Sequence, residues 1–208
     1  MTDPAAFRDL PTTTLADVLP REAVMHHAIR PLWTSMERVV GCAYPVRCAP
    51  GDNLMLHAAI HRAPAGSVIV VEAGDEEYAV AGGNVCAVAQ RNGIAGFVVD
   101  GVIRDLAEVR ERRFPVFARG VVPKPGAKNV VDVLNGPVTC GGARVNPGDV
   151  IVADEEGIVV VPHERGAQVL QQAEARARED AAQTLDAWEA EHRARIDGIL
   201  RAKGFHEG

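Results

Sequence analysis

Residues 67–122 read SVIVVEAGDEEYAVAGGNVCAVAQRNGIAGFVVDGVIRDLAEVRERRFPVFARGVV, and this segment decides the fold class. Short, almost continuously apolar runs alternate in it with segments of helical character. The expected strands are SVIVVEA (67–73), AGFVVDG (95–101) and VFARGVV (116–122), and the expected helices are NVCAVAQRNG (84–93) and DLAEVRERRF (105–114). Strands without polar alternation are typical of sheets buried on both faces. The segment predicts an α/β fold with a parallel or mixed sheet flanked by helices.

The N-terminal flank adds a helical segment and a strand. Residues 1–35 are expected to form short helices, because prolines limit how far each helix can run. The stretch Met36 to Cys48 is rich in Val, Cys and Ala and predicts a strand. A turn then leads into the helix NLMLHAAIHRA, for which Asp52 or Asn53 is the expected cap.

The C-terminal flank changes from strands to helix. Between Val130 and Pro162, turn signals separate short apolar runs, which predicts a second β layer or a small barrel. Residues 163–204 are expected to form one long helix. No linker is visible, so we expect a single domain over residues 1–208. The tail helix carries an apolar stripe that packs either on its own core or on another subunit, formed by Leu185, Trp188, Ile196 and Ile199.

Composition and charge exclude several classes of protein. The chain has 208 residues, of which 47% are hydrophobic and 24% charged, as is usual for globular domains. Its net charge of -6 disfavours a nucleic-acid partner, because a polyanion selects clustered Lys and Arg. No apolar run reaches the roughly 20 residues that cross a bilayer, and the start MTDPAAFRDL does not resemble a signal peptide. We expect a cytoplasmic protein that binds neither nucleic acid nor membrane.

Common catalytic signatures are missing from the sequence. It contains no G-x-G-x-x-G, G-x-x-x-x-G-K-[ST], G-x-S-x-G or H-E-x-x-H pattern. His57 and His61 lie four residues apart on an expected helix, but no carboxylate is placed to complete a metal site, so surface or core positions are favoured. The four cysteines form no C-x2-C pair and are expected to be buried, reduced thiols: Cys42, Cys48, Cys86 and Cys140.

The most informative part of the chain is Gly82 to Asp105. Gly82 and Gly83 precede a helix whose first backbone amides lack intrahelical acceptors and can hold a carboxylate. These amides are expected at Asn84, Val85 and Cys86.

The following strand ends in the turn that carries Arg104 and Asp105. Ligands of open α/β sheets collect at the carboxyl ends of strands, which places this pair beside the glycine loop. Arg offers bidentate binding to a carboxylate, and Asp offers hard oxygen to Mg²⁺ or a similar cation. From spacing alone the alternative is favoured, in which Asp105 only caps its helix and Arg104 is solvated.

Several segments resemble the RraA-like family. GIAGFVVDGVIRD is similar to its signature G-x-x-G-x-V-x-D-G-x-x-R-D, and APGDNLMLHAAI to its PGDN-hydrophobic-H stretch. FPVFARG and VNPGDVIVADEEGIVVVP resemble two further family elements in the same order, from about residue 50 to residue 162. The family includes class II pyruvate aldolases that act on 4-hydroxy-4-methyl-2-oxoglutarate and 4-carboxy-4-hydroxy-2-oxoadipate.

The resemblance implies a swivelling-type β/β/α sandwich that assembles as a homotrimer or hexamer with sites between subunits. It implies that Arg104 contacts pyruvate, that Asp105 anchors Mg²⁺ or Mn²⁺, and that the amides after the glycine loop hold the pyruvyl carboxylate. It also implies oxaloacetate decarboxylation as a companion activity. Metal-dependent members usually carry Asp or Glu where this chain has Gly83, which weakens the expected metal site or indicates another substrate.

Other residues and functions stay open at this stage. Acid groups from elsewhere are available in Asp154, Glu155 and Glu156, although solvation in a turn is favoured for them. The candidates for binding the far carboxylates of the substrate are Arg119, Lys124 and Lys128, although solvation at the surface is favoured for each of them. The alternatives to an aldolase are a non-catalytic regulator that binds ribonuclease E, and a lyase or isomerase of the same fold that acts on another small oxo acid.

Overall fold

A computed structural model describes residues 2–205 of the chain. The chain divides into two compact units, Met1–Ala173 and Glu174–Gly208. The expected single domain over residues 1–208 stays a prediction. Within residues 2–205, no helix is both long and apolar enough to cross a membrane.

The first unit is built on a seven-stranded sheet with the order β1-β5-β4-β3-β2-β8-β9. Strands β2 to β5 are parallel to one another, whereas β1 pairs antiparallel with β5, β8 with β2, and β9 with β8. The strands are β1 (Arg30–Pro31), β2 (Val39–Arg47), β3 (Val68–Glu72), β4 (Gly96–Ile103), β5 (Val116–Val121), β6 (Val138–Cys140), β7 (Ala143–Val145), β8 (Val150–Asp154) and β9 (Gly157–Val161). The α-helices are α1 (Thr12–Val18), α2 (Leu54–Ala59), α3 (Gly83–Arg91), α4 (Leu106–Glu111), α5 (Gly166–Ala182) and α6 (Leu185–Ala202).

Both faces of the sheet are covered, which explains its continuously apolar strands. In β3, Ile69 and Val71 face a core that includes residues of α2, α3 and α4. The alternate residues Val68 and Val70 face a second core that contains the β6–β7 hairpin. The layers are therefore helices, main sheet and hairpin, and the α/β sandwich predicted from the sequence is confirmed.

The region between Val130 and Pro162 does not form a separate layer throughout. Only the β6–β7 hairpin is a sheet of its own, whereas β8 pairs with β2 and extends the main sheet. Each of these strands is short and apolar, so its sequence does not specify which partner it takes.

The N-terminal segment contains α1 and the short 3-10 helices Pro4–Phe7 and Arg21–Ala23. Asp154 anchors α1, because its carboxylate accepts hydrogen bonds from Thr12 Oγ1 at 2.6 Å and from Arg38 Nε at 3.1 Å. Asp154 is only 8% exposed, so the expectation of a solvated turn residue is wrong for it. Its neighbours Glu155 and Glu156 are exposed.

The C-terminal segment is helical, as expected, but it is two helices instead of one. After the 3-10 helix His163–Arg165, α5 ends at Ala182 and α6 begins at Leu185. Thr184 between them is extended, with φ -78 and ψ 155, and its side chain accepts a hydrogen bond from the Ala187 amide. A threonine in this role starts a new helix. The apolar stripe of α6 is exposed in the described residues.

Candidate functional site

A cavity of about 140 Å³ lies at the carboxyl end of β4. Its wall combines backbone of the glycine loop with polar and charged side chains, namely Asn53, His57, Ala79, Val80, Ala81, Gly82, Asn84, Val85, Arg104, Asp105, Glu108, Pro125 and Lys128. Sites for drug-sized ligands start at roughly 300 Å³. This cavity therefore suits a small organic acid.

Two backbone hydrogen bonds bring the glycine loop to the end of β4. The Val80 amide donates to the Val102 carbonyl at 3.0 Å, and the Arg104 amide donates to the Ala81 carbonyl at 2.9 Å. The loop therefore runs alongside the strand end up to Gly82, where α3 begins. The structure thus brings Gly82, Arg104 and Asp105 together.

Gly82 has no room for a side chain. A Cβ at this residue would overlap a carboxylate oxygen of Asp105 and lie 3.1 Å from Arg104 Cγ and 3.2 Å from Arg104 Nε. Glycine at this position therefore allows the Arg104–Asp105 pair to pack against the loop backbone.

Asp105 points back to the glycine loop. Its backbone is left-handed, with φ 59 and ψ 38, and its side chain makes no capping hydrogen bond to α4. One carboxylate oxygen accepts a hydrogen bond from the Gly83 amide at 3.1 Å and lies 3.5 Å from Arg104 Nε. The capping role favoured from spacing is therefore wrong. Strained backbone of this kind occurs at functional sites.

The loop amides differ in availability. The Gly83 amide is taken by Asp105, and the Cys86 amide donates to the Gly82 carbonyl at 3.0 Å. The expectation that the Cys86 amide is free is therefore wrong, because α3 already includes it in its first hydrogen-bonded turn. Within residues 2–205, the amides of Asn84 and Val85 have no acceptor. Both residues line the cavity and can receive an anion there.

All four cysteines are free, and three of them are buried. Cys42 is partly exposed, so the expectation of a buried thiol is wrong for this residue. Burial raises the pKa of the Cys86 thiol to about 12, with a smaller contribution from the negative charge of Asp105. Cys86 is therefore a thiol that fills the core and is not a nucleophile.

Glu108 occupies the space that a side chain at residue 83 would need. A Cβ at Gly83 would overlap the Glu108 carboxylate and lie 3.2 Å from the Glu108 Cβ. Glu108 also lines the cavity together with Asp105. A carboxylate therefore stands beside Gly83 although the residue itself has no side chain, which the sequence pattern did not indicate.

Three further cavity residues come from distant parts of the chain. Asn53 directly precedes α2, His57 lies in the last turn of α2, and Lys128 follows a segment that pairs with the chain around Asn53. The Asn53 amide donates to the Ala127 carbonyl at 2.9 Å, and the Gly126 amide donates to the Ala79 carbonyl at 3.1 Å. This pairing sets Lys128 at the cavity wall. Sequence analysis assigned His57 to the surface or core and did not single out the Asn53 side chain as a site group.

The other basic candidates are engaged elsewhere. Arg119 pairs with Asp100 and with Glu76. Lys124 pairs with Glu77 and lies over the Tyr78 ring, 3.8 Å from its centroid. Neither residue lines the cavity at β4. Of the three candidates for binding the far carboxylates, only Lys128 is placed for that role.

The chain is similar to known proteins along almost its whole length. Residues 12–160 match the family model described as RraA-like: Aldolase/RraA. A protein of Halalkalibacterium halodurans, named "Putative 4-hydroxy-4-methyl-2-oxoglutarate aldolase", is 38% identical over 202 residues, which cover 97% of this chain and 92% of that protein.

Two solved structures share the fold. One is an uncharacterized protein from Pseudomonas syringae, with a TM-score of 0.77, 30% identity, and coverage of 93% of this chain and 92% of that one. The other is the RNA-processing inhibitor RraA from Thermus thermophilis, with a TM-score of 0.68, 30% identity, and coverage of 74% of this chain and 93% of that one. These matches agree with the fold described above, and the chain belongs to the RraA-like family.

Proposed function

We propose that the protein is a divalent-metal-dependent lyase that cleaves a 4-hydroxy-2-oxo acid to pyruvate and a second oxo acid. The substrates are of the class of 4-hydroxy-4-methyl-2-oxoglutarate and 4-carboxy-4-hydroxy-2-oxoadipate, and oxaloacetate decarboxylation is a companion activity. The name of the relative from Halalkalibacterium halodurans supports this class of reaction.

One observation carries the proposal. Two amides without acceptors, at Asn84 and Val85, share a small cavity with the Arg104 guanidinium and the Asp105 carboxylate. A 2-oxo acid needs donors for its carboxylate and positive charge near the oxygen that becomes an enolate. The amides hold the carboxylate in this proposal, and Arg104 stabilises the enolate.

The residues present fit a hard divalent cation. Asp105 and Glu108 both line the cavity, and carboxylate oxygens are the ligands that Mg²⁺ prefers. Within residues 2–205, no group of three or more His, Cys, Asp or Glu residues is arranged to hold a metal. Water and substrate oxygens therefore complete the coordination in this proposal. When bound, Mg²⁺ or Mn²⁺ would supply Lewis-acid polarisation of the substrate's keto oxygen. Asp105 is the proposed anchor, and Glu108 is proposed to orient the water.

Pyruvate release from 4-hydroxy-4-methyl-2-oxoglutarate tests the proposal. We expect Arg104→Ala and Asp105→Ala each to lower kcat by on the order of 10²- to 10³-fold, as is usual when a charge-stabilising group is lost. The matched controls are Arg110→Ala and Glu111→Ala, at exposed positions on α4 directly after the pair, and we expect them to retain activity. A chelator abolishes turnover and added metal restores it. Undiminished activity in both site variants would remove the proposed site.

A second candidate function rests on the structural likeness to the RNA-processing inhibitor RraA from Thermus thermophilis. In this alternative the chain is a regulator that binds ribonuclease E and does not turn over a substrate. Capture of purified ribonuclease E, together with no turnover of any 2-oxo acid, would favour it. A panel of 2-oxo and 2-hydroxy acids separates the aldolase from a lyase or isomerase of the same fold with another substrate.

Assembly and location are part of the proposal. A cytoplasmic homotrimer or hexamer is expected from the family resemblance, with each site close to a neighbouring subunit. Light scattering on the purified protein distinguishes three or six copies of the 22.2 kDa chain from a monomer.

A further inference from the structure

His57 is a cavity residue for which the proposed function has no role so far. It lies on α2, one turn after Asn53, and its amide donates to the Asn53 carbonyl at 3.2 Å. Residues four apart on a helix share one face, and both residues line the cavity. Within residues 2–205, the His57 ring makes no hydrogen bond or ion pair with another residue. The ring is therefore available to a ligand.

Asn53 indicates which kind of ligand group reaches this end of the cavity. The residue is 4% exposed, and its Oδ1 is buried without a hydrogen-bond partner in the described residues. Its Nδ2 donates to the carbonyls of Gly126 at 3.3 Å and Ala79 at 3.5 Å, so the amide cannot be reversed without setting oxygen against oxygen. A buried acceptor without a donor is unfavourable. Among the described residues, none donates a hydrogen bond to Asn53 Oδ1. In an ionised 4-hydroxy-2-oxo acid, the group that can donate a hydrogen bond is the hydroxyl.

The charges around His57 keep its ring neutral. A positive charge on the ring is opposed by Lys128, His61 and Arg104. It is favoured by Asp52. Burial, followed by these cations, lowers the pKa of His57 to about 4. At neutral pH the ring is therefore a proton acceptor. A bound polycarboxylate offsets the charges of Lys128 and Arg104, which strengthens the base once substrate is present.

We propose that His57 is the base that removes the proton of the substrate's 4-hydroxyl group, an inference that rests on the proposed lyase function. The O–H electron pair becomes the new C4=O bond, and the C3–C4 bond breaks. Its electrons form the enolate that Arg104 stabilises. Water then protonates the enolate at C3, and His57 returns its proton to water, so that one proton is taken up and one is released. Arg104 and Lys128 are cationic and accept no proton, and Asp105 is bonded to the Gly83 amide.

Two reactions of the same enzyme separate this role from a structural one. Cleavage of 4-hydroxy-4-methyl-2-oxoglutarate requires removal of a hydroxyl proton, whereas oxaloacetate forms the same enolate by losing CO₂ and needs no base for that step. The variants are His57→Gln and His57→Asn, and the control is His61→Gln, which changes an exposed histidine four residues away. Both kcat values and the melting temperature are measured for each protein in the presence of Mg²⁺.

We expect both His57 variants to lose cleavage by on the order of 10²- to 10⁴-fold, the usual contribution of a general base. Decarboxylation stays within about threefold of wild type, and His61→Gln retains both activities. Equal losses in the two reactions, or no loss in cleavage, would overturn the role of His57 and leave the lyase function standing. A wild-type protein without either activity would instead refute the proposed function, and the inference with it.

Discussion

At the start of α3, two carboxylates lie where residues 82 and 83 would otherwise have side chains. The Asp105 and Glu108 carboxylates fill the space that a Cβ at Gly82 or Gly83 would occupy. The two adjacent glycines therefore set how closely acidic groups approach the loop. The family resemblance leads to the expectation of an acidic side chain at residue 83, and we propose that the Glu108 carboxylate takes its place.

Glu108 is expected to contribute to metal affinity. Replacement by Gln keeps the shape and removes the charge, and loss of a group that orients metal-bound water costs roughly 10- to 100-fold in affinity. Titration calorimetry with Mn²⁺ measures the effect without any substrate. Glu111→Gln, at the end of α4, is the control. Equal Mn²⁺ affinities for the two variants would show that Glu108 does not take part.

His57 also predicts how stability depends on pH. The unfolded chain protonates this residue near its ordinary pKa of 6.5, whereas the folded chain does so only near 4. The unfolded state therefore binds more protons between these values, and the free energy of unfolding contributed by His57 falls as pH drops from 6.5 to 4.

Urea unfolding at pH 7 and pH 5 tests this linkage. We expect His57→Gln to lose less stability than wild type between the two pH values, because glutamine does not titrate. His61→Gln is expected to follow wild type. Identical pH dependence in wild type and His57→Gln would contradict a depressed pKa in the folded protein.

At the scale of elements, regular patterns of apolar residues predicted the central strands and helices. The pairing of the remaining strands depends on contacts between segments far apart in the sequence. The apolar runs at residues 67–73 and 116–122 contain β3 and β5, and the run at 95–101 covers β4 up to Gly101, whereas the strand continues to Ile103. The pairing of β8 with β2 was not predictable, because a short apolar strand fits more than one neighbour. The break before α6 could have been predicted from Thr184, because threonine is a favoured residue at helix starts.

The anchor of α1 is a testable contact between elements. Burial alone would raise the pKa of Asp154, but hydrogen bonds from Thr12, Glu156 and Arg38 outweigh it and lower the pKa, so the carboxylate stays charged. Asp154→Asn weakens the charged hydrogen bonds that hold α1 to β8, and we expect it to destabilise the fold by about 1.5 to 3 kcal/mol. Chemical denaturation measures the change. Glu155→Gln, at the exposed neighbouring residue, is expected to change little, and equal effects would argue against the anchor.

At the scale of the molecule, one part of the site comes from residues close together in the sequence, and the other part comes from segments far apart in the sequence. Gly82, Arg104 and Asp105 were predictable because one loop, one helix start and one strand end carry them. Asn53, His57 and Lys128 reach the cavity only because the segment around Ala127 pairs with the chain before α2. Pairing between segments so far apart in sequence leaves no periodic pattern, so the sequence indicated neither Asn53 nor His57 as a site residue and offered Lys128 only as one of three basic candidates.

A crystal structure of the protein soaked with pyruvate and Mg²⁺ would show directly whether the cavity at the end of β4 is the site of cleavage. We expect the pyruvate carboxylate to accept hydrogen bonds from the amides of Asn84 and Val85. We expect its keto oxygen to lie near Arg104 and the metal to be bound by Asp105. Density for pyruvate at another place, with Arg104 and Asp105 turned into bulk solvent, would contradict the assignment of this cavity as the site of cleavage.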